Sequence, residues 1–337
     1  MAKLSMQKPS IHPLRWQPPA APPRANQRQH TLTSALRVFA LPGTGPEDVA
    51  IDGRGRILAG LADGRIVRLA PDGSGAQTVA DTGGRPLGLE FDLDGQLLVC
   101  DSHRGLLCVD VESGSVRTLA DRIGATPMIF CSNVVASTDG SLWFTESSQH
   151  VGVEYYLADI LEHSCTGRLS RRLPNGEVEV IAENLKFANG LVLAPDESWL
   201  AVAETGGYRI TKIWLSGPRA GQRESLVENL PGFPDNMSRG SDGLIWVALA
   251  TPRDRLLDLL LPRAPILRKF VWALPDAMRP REKKTVWVQA YDDAGNLVHD
   301  LETSRERFYM ATGAGEHNGA VFIGSLAGAS IARIDLS

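Results

Sequence analysis

Residues 89–99 read LEFDLDGQLLV, an apolar strand, a turn that contains Asp94-Gly95, and a second apolar strand. Asp-Gly between two apolar runs is a strong hairpin signal, because tight turns need the positive φ that glycine adopts freely. The same unit recurs along the chain with Asp-Gly, Asp-Glu or Asn-Gly in the turn. Its six copies occupy residues 49–59, 89–99, 134–144, 191–201, 241–247 and 317–323. The repeat indicates an array of antiparallel hairpins.

Each hairpin is followed by two further strand-like segments, such as residues 105–109 and 116–119 after the second hairpin. Four antiparallel strands in a repeat of about 40 to 50 residues are typical of a propeller blade. The sequence therefore predicts an all-β fold, a six-bladed β-propeller with four-stranded antiparallel blades that occupies residues 31–337 as one domain. Residues 31–41 are left over at the front of the repeat. Pairing them with the sixth blade would close the ring and protect the sheet edges.

Composition narrows the functional classes. The chain has 337 residues, of which 43% are hydrophobic and 22% charged, and this excludes intrinsic disorder for most of its length. The 39 acidic residues outnumber the 35 Lys and Arg, and a net charge of -4 argues against a nucleic-acid partner bound through its phosphates. Four cysteines are too few for a disulfide scaffold. The 33 Gly and 21 Pro supply the turns that many short strands need.

Three segments lie outside the repeat. Residues 1–30 contain HPLRW at 12–16 and a proline-rich run at 18–23, which predicts an extended arm. They lack the apolar core of a signal peptide, so we expect a cytoplasmic location. Insertions at about 147–165 and 251–284 each follow the second strand of a blade, so both should lie on one face of the disc as lids. Residues 256–274 are apolar but interrupted by prolines and basic residues, which excludes a transmembrane segment and leaves a packed lid or a peripheral membrane contact.

The innermost strands of a propeller line a central channel, so residues at the same depth face one another. Counting back seven or eight residues from each turn finds a carboxylate or carboxamide in four of the six blades. These residues are Glu47, Asn133, Asn189 and the pair Asp235-Asn236. Blades two and six have Leu87 and Thr312 at this depth. Polar groups of this kind are poor strand formers and are costly to bury without partners.

A cation in the channel would offset this cost. Ca²⁺ binds six to eight oxygen atoms from carboxylates, amides, backbone carbonyls and water. The sequence predicts one divalent cation, Ca²⁺, held by Glu47, Asn133, Asn189 and Asp235. The absence of His and Cys at this depth argues against zinc or iron. The alternative is that these Asn and Asp residues only begin strands and cap one another.

Several of these residues lie in motifs that resemble the strictosidine synthase-like proteins. The motifs are FANGL at 187–191, AET at 203–205, PGFPDN at 231–236, EHNG at 316–319 and IGSL at 323–326. The resemblance covers nearly the whole chain and extends more distantly to the paraoxonases and the gluconolactonase or regucalcin-like hydrolases. It implies a six-bladed propeller, often with Ca²⁺ in the channel, and lactone or ester hydrolysis in many members. By motif, the four predicted ligands match metal positions of the lactonase branch, and Asn236 matches an additional paraoxonase ligand.

The chain departs from the family pattern at two positions. Strictosidine synthases carry a catalytic glutamate on the innermost strand of blade six, where this chain has Thr312. A condensing reaction of the synthase type is therefore disfavoured. Paraoxonases carry a histidine after a proline on blade two, where this chain has Leu87 after Pro86. The paraoxonase proton shuttle is therefore absent.

The leading hypothesis is metal-dependent hydrolysis of a lactone or ester. Asp235 would accept the proton of the attacking water. His103, in a loop directly after a second strand, is a further candidate base, with an exposed loop residue as the alternative. Glu146 and Glu204 stand at equivalent points of blades three and four and, with Asn236, are candidates for contact with substrate, while a structural role is the alternative for each glutamate.

The lids favour a small hydrophobic substrate. Residues 155–157 (YYL) and the apolar part of the second insertion would form an apolar cover over the channel mouth. The rival to the hydrolase is a non-enzymatic propeller, either a metal-stabilised scaffold or a ligand-binding module, because a fold does not fix a function. A synthase-like condensing enzyme is the third hypothesis for the function.

Overall fold

The computed structural model describes residues 8–22, 36–275, 278 and 283–336. It confirms the predicted six-bladed β-propeller with four-stranded antiparallel blades. The first described strand, Arg37–Ala40 (β1), pairs antiparallel with the last strand of the chain. Residues 31–35 of the predicted first strand lie outside the described residues.

The first three blades follow in chain order. Blade one comprises Val49–Ile51 (β2), Ile57–Gly60 (β3), Arg65–Leu69 (β4) and Gln77–Asp81 (β5). Blade two comprises Pro86–Phe91 (β6), Leu97–Asp101 (β7), Gly105–Val109 (β8) and Val116–Ala120 (β9). A small hairpin follows, formed by Arg122–Ile123 (β10) and Thr126–Pro127 (β11). Blade three comprises Cys131–Ala136 (β12), Leu142–Glu146 (β13), Gly167–Arg172 (β14) and Val178–Leu185 (β15).

The last three blades complete the ring. Blade four comprises Ala188–Leu193 (β16), Trp199–Glu204 (β17), Arg209–Trp214 (β18) and Arg223–Val227 (β19). Blade five comprises Gly232–Arg239 (β20), Ile245–Pro252 (β21), Thr285–Tyr291 (β22) and Leu297–Ser304 (β23). Blade six comprises Ala311–His317 (β24), Ala320–Ser325 (β25), Ser330–Asp335 (β26) and the N-terminal β1. The chain start thus supplies the outer strand of the last blade, which closes the ring.

The hairpin turns differ in type from blade to blade. In blade six Asn318 and Gly319 both have positive φ, as a two-residue primed turn requires. In blade two only Gly95 does, and its amide donates to the carbonyl of Asp92. The Asp92 side chain also accepts the amides of Asp94 and Gln96, so the aspartate organises a longer turn. The periodic Asp-Gly signal marks the hairpins, but most of them use one left-handed residue rather than two.

Hydrophobic packing runs between neighbouring blades. Each of the six large clusters joins the apolar faces of two successive sheets, as with Leu58, Ile66, Leu97 and Leu107 between blades one and two. Trp246, fully buried, belongs to the cluster between blades five and six. This arrangement leaves the channel itself free for polar side chains.

Both insertions form helices on the face where the second strands end. The first lid contains the 3-10 turn Val153–Tyr155 and the helix Tyr156–Glu162 (α1). The second contains Arg255–Leu260 (α2) and Pro265–Ala273 (α3). Ala158 of the first lid and Trp272 of the second belong to one buried cluster, so the two lids pack together as one cover.

The described part of the arm, residues 8–22, has no helix or strand and crosses this cover. The backbone amide of Leu14 donates to the carbonyl of Glu162, and that of Trp16 donates to the carbonyl of Leu261. The Trp16 ring stacks on His163 with ring centroids 4.4 Å apart. The arm therefore ties α1 to the loop after α2.

Candidate functional site

The predicted channel residues lie at irregularities of the innermost strands. The pairing register shifts between Cys131 and Val134 in β12, between Ala188 and Leu191 in β16, and between Pro234 and Met237 in β20. β-Bulges of this kind re-aim side chains and concentrate beside functional sites. They explain how Asn133, Asn189 and the Asp235-Asn236 pair face the channel axis.

Glycines beside the site let neighbouring blades approach closely. A Cβ on Gly190 would lie 2.3 Å from the backbone nitrogen of Met237 in the next blade. A Cβ on Gly88 would lie 2.5 Å from the carbonyl oxygen of Ser132. No larger residue fits these positions without moving backbone, so the glycines bring the polar residues of successive blades within hydrogen-bonding distance.

Asn236 connects three blades across the channel. Its Nδ2 donates to Oε1 of Glu47 at 2.9 Å, and its Oδ1 accepts from Nδ2 of Asn133 at 3.0 Å. The Oδ1 of Asn133 also accepts the backbone amide of Leu191 at 3.2 Å. Blades one, three and five are thereby joined through side chains that the sequence placed at a common depth.

A second pair completes the site. Nδ2 of Asn189 donates to Oδ1 of Asp235 at 2.5 Å. The Oδ1 of Asn189 accepts from the hydroxyl of Ser132, and its amide lies 3.3 Å from Oγ1 of Thr205. Thr312 donates its hydroxyl to the backbone carbonyl of Glu47 at 2.6 Å. All four predicted ligands and Asn236 are thus buried together in one region of the channel.

The electrostatics of this region favour a cation. Burial, followed by the nearby charges of Asp235 and Asp48, raises the pKa of Glu47 well above its usual range. Burial raises the pKa of Asp235 to about 8. The Oε2 atom of Glu47 is buried without a hydrogen-bond partner. Two buried carboxyl groups, one with an orphaned oxygen, together with amide oxygens, fit the donor chemistry of Ca²⁺.

The amides are essential to that fit. Within the described residues, no group of three or more His, Cys, Asp and Glu side chains is arranged to hold a metal. Any cation here would therefore rely on the asparagine oxygens as well as the two carboxylates.

A cavity of about 250 Å³ opens above these polar residues, which form its floor. Glu47, Asn189, Asp235 and Thr312 line its base. Its walls are mainly apolar and come from the propeller and both lids: Leu87, Phe130, Phe187, Phe233, Met310, Val153, Tyr156, Leu157, Ile160, Leu161, Leu256, Leu257, Leu260 and Val271. A few polar groups below apolar walls are typical of small-molecule sites.

Glu146 and Glu204 lie at equivalent points, the last residues of β13 and β17, and both are fully buried. Glu146 accepts from the amide of Ile129 and from Nε of Arg168 at 2.7 Å. Glu204 accepts from the amide of Lys186 and from Nε of Arg209 at 2.8 Å. Each glutamate therefore fastens the segment that leads into its blade's innermost strand.

His103 lies at the edge of the first lid. Its side chain is 46% exposed, and Nε2 lies 2.6 Å from Oε1 of Glu154. The loop therefore opens on the lid face, as the blade alignment indicates. His103 is not among the residues that line the cavity in the described part of the chain. Its catalytic role remains a prediction.

Some wall residues were missed by the sequence reasoning. Phe187 and Phe233 each stand two residues before a floor residue, Asn189 and Asp235, and both line the cavity. This shared spacing is a signal that a blade alignment could have used. Ser132, whose hydroxyl binds Asn189, has no comparable signal.

Comparisons with known proteins identify the family of this chain. Residues 61–254 match the family described as SMP-30/Gluconolactonase/LRE-like region, and residues 27–69 match the N-terminal region of strictosidine synthase-like proteins. The adipocyte plasma membrane-associated protein of Salmo salar is 32% identical over 332 residues, with 91% of this chain and 79% of the relative covered. Strictosidine synthase-like protein 13 of Arabidopsis thaliana is 32% identical over 293 residues, covering 77% and 72% of the two chains. The chain belongs to the strictosidine synthase-like family.

Solved structures support the fold of this family member. A gluconolactonase from Xanthomonas campestris superposes with a TM-score of 0.66 at 18% identity and covers 99% of both chains. The calcium-binding protein regucalcin of Agrobacterium tumefaciens superposes with a TM-score of 0.61 at 12% identity, covering 91% of this chain and 95% of the other. At these identities the likeness concerns the propeller alone. In the described part of this strictosidine synthase-like chain, no helix is long and apolar enough to cross a membrane.

Proposed function

We propose that the protein is a Ca²⁺-dependent hydrolase of hydrophobic lactones or esters. One observation carries the proposal: the carboxylates of Glu47 and Asp235 and the amide of Asn189 converge on the floor of a cavity with mainly apolar walls. Membership of a family that matches the gluconolactonase region supports the hydrolase class. The apolar lids favour an alkyl or aryl substrate over a free sugar acid.

The residues that would hold Ca²⁺ are Glu47, Asn133, Asn189 and Asp235, with Asn236 as a fifth candidate. When bound, Ca²⁺ supplies Lewis-acid polarisation of a carbonyl and stabilises the negative charge that develops on its oxygen. Asn236 orients Glu47 and Asn133 at once, because it hydrogen-bonds both. This arrangement fixes the floor before substrate enters.

Asp235 is the proposed proton acceptor. It lines the cavity, where its carboxylate would accept the proton of an attacking water, and the Asn189 amide donates to its Oδ1 and orients the group. The hydrophobic lids bind the acyl chain and exclude bulk water, which strengthens the electrostatic interactions on the floor. His103 is the second candidate base, and its position beside Glu154 makes movement of the first lid a requirement for that role.

A substrate panel tests the proposal. It should contain five- and six-membered lactones with short and long alkyl chains, together with aryl esters, assayed in Ca²⁺ and in EDTA. We expect turnover that EDTA abolishes and Ca²⁺ restores, with a preference for long chains. Asp235→Asn should lower kcat about 10²- to 10⁴-fold, the usual contribution of general acid–base catalysis. His103→Ala is the matched comparison, and a loss of kcat in that variant alone would assign the base to His103.

A non-enzymatic, ligand-binding propeller is the second candidate. It is favoured by the two positions where the family's catalytic residues are missing. Leu87, on the cavity wall, stands in place of the paraoxonase histidine, and Thr312, whose hydroxyl donates to the carbonyl of Glu47, stands in place of the synthase glutamate. The absence of EDTA-sensitive turnover across the panel, together with Ca²⁺-dependent thermal stability, would support this function over hydrolysis.

A further inference from the structure

The second lid exposes a cluster of large apolar side chains. Five of them, called the lid face here, are Leu256, Leu259, Ile266, Leu267 and Phe270. Ile266 is 66% exposed and Phe270 is 68% exposed, values far above those of core residues. Three of them, Ile266, Leu267 and Phe270, lie within five residues of α3, and exposed apolar surface concentrated in this way usually marks an interaction site.

The exposure is built into helix α3. Its inward side buries Arg268, which donates to the carbonyls of Leu161 and Leu14, and Trp272, whose Nε1 donates to the carbonyl of Pro9. These contacts fix the rotation of the helix about its axis. Ile266 and Phe270, four residues apart, consequently share the outward side.

The exposed charges within the segment that carries the lid face have one sign. Between residues 255 and 275, all of which the structure describes, the exposed charged residues are Arg255, Arg263 and Lys269. Asp258 is the acid of this segment, and it is turned inward to the hydroxyl of Tyr208 and to Arg253. A basic rim around an apolar cluster contrasts with the chain's net charge of -4.

The lid face also borders the mouth of the cavity. Leu256 is 44% exposed and at the same time lines the cavity wall. Whatever contacts the lid face therefore lies next to the route by which an apolar molecule reaches the channel.

We propose that the lid face docks on an anionic phospholipid surface. Apolar side chains would enter the region between head groups and acyl chains, and Arg255, Arg263 and Lys269 would contact the lipid phosphates. Two copies packed through the same lid face would bring their basic residues together, so the charge favours an anionic lipid surface over a symmetric dimer. This proposal does not depend on the hydrolase activity.

Flotation of the full chain with vesicles tests the docking. One set contains phosphatidylcholine alone, and the other adds about one third phosphatidylserine, the anionic lipid to which basic surface residues are attracted. We expect binding to the phosphatidylserine vesicles that high salt weakens. The double variant Ile266→Ser/Phe270→Ser should bind vesicles at least about tenfold more weakly, since two exposed apolar anchors are lost. Arg263→Glu/Lys269→Glu should reduce binding mainly to the anionic vesicles.

Leu93→Ser is the matched control. Leu93 is 75% exposed, but it lies in the turn between β6 and β7, at the opposite end of the strands from the lids. It should bind vesicles like the parent chain. All variants replace exposed residues, so unchanged melting temperatures would establish that they fold. The proposal is overturned if neither vesicle is bound, if Leu93→Ser loses binding equally, or if the lid-face substitutions instead dissolve a dimer seen by size exclusion.

Discussion

Asn236 on blade five and Glu47 on blade one are joined across the channel by a 2.9 Å hydrogen bond, although these blades are not neighbours in the ring. The same asparagine accepts a hydrogen bond from Asn133 on blade three. One buried side chain thus sets the positions of two predicted cation ligands. Both the nitrogen and the oxygen of the Asn236 amide are hydrogen-bonded. Oε1 of Glu47 therefore has a partner, whereas its Oε2 is buried without one.

Replacing this asparagine should weaken the cation site. In Asn236→Ala, Glu47 and Asn133 lose their common partner, and we expect Ca²⁺ affinity to fall about 10- to 100-fold, the usual effect of removing a group that orients metal ligands. Isothermal titration calorimetry measures this directly. Asn229→Ala is the control, because Asn229 binds the arm carbonyl of Ala20 rather than the channel. Equal affinities in the two variants would mean that the channel residues do not form the Ca²⁺ site.

In the presence of EDTA, the free energy of unfolding of the protein should fall as the pH rises. Burial raises the pKa of Asp235 to about 8 and that of Asp48 to about 7. In the unfolded chain these groups lose their protons near about pH 4. Between about pH 4 and about pH 8 the folded state therefore holds more protons, and the free energy of unfolding falls as the pH rises.

Melting temperatures in EDTA at about pH 6 and about pH 8 measure this slope. Asp235→Asn, which cannot ionise, should flatten it. Saturating Ca²⁺ should flatten it as well, because a cation stabilises the ionised carboxylates. A melting temperature that increases from the lower to the higher pH in EDTA is the opposite sign and would contradict the assignment of buried, proton-retaining acids.

The fold could be predicted because its signal is periodic. Asp94-Gly95, Asp139-Gly140 and Asn318-Gly319 recur between apolar strands, and a turn at a constant spacing fixes both the number of blades and the direction of each strand. The depth of the channel residues followed from the same register. The helices of the lids did not follow from it, because α2 and α3 are short, and α3 is stabilised by packing on the arm and on the first lid rather than by a long amphipathic pattern.

The partners of the site residues could not be predicted from the sequence. A pattern places Glu146 and Glu204 at the ends of two strands, but it does not show that Arg168 and Arg209 lie opposite them on the next strands. Likewise, the bulge that turns Asn133 toward Asn236 depends on the close contact at Gly88. These features arise from the approach of separate blades, which a single-chain pattern does not encode.

Glu204→Gln separates a structural role from a substrate-binding one. The carboxylate accepts from the Lys186 amide, Arg209 and the hydroxyl of Thr211 in a fully buried position. Loss of its charge weakens these bonds, so we expect a decrease of about 1–3 kcal/mol in the free energy of unfolding. The KM for any substrate found should stay unchanged. Denaturant unfolding and steady-state kinetics measure the two effects, and Glu146→Gln should behave in the same way. An increased KM at unchanged stability would instead place Glu204 in contact with substrate.

The cover over the cavity depends on Arg268. This buried residue donates to the carbonyls of Leu161 and Leu14, and so joins α1, α3 and the arm. Arg268→Met keeps the length of the side chain but leaves these carbonyls without a donor, at a cost of about 1–3 kcal/mol each. Because the contacts are confined to the cover, we expect faster hydrogen exchange in α1 and α3 and little change in the blades. Lys269→Met, an exposed neighbour on the same helix, should exchange like the parent chain. Uniformly faster exchange throughout the blades would show that the cover and the propeller unfold as one unit.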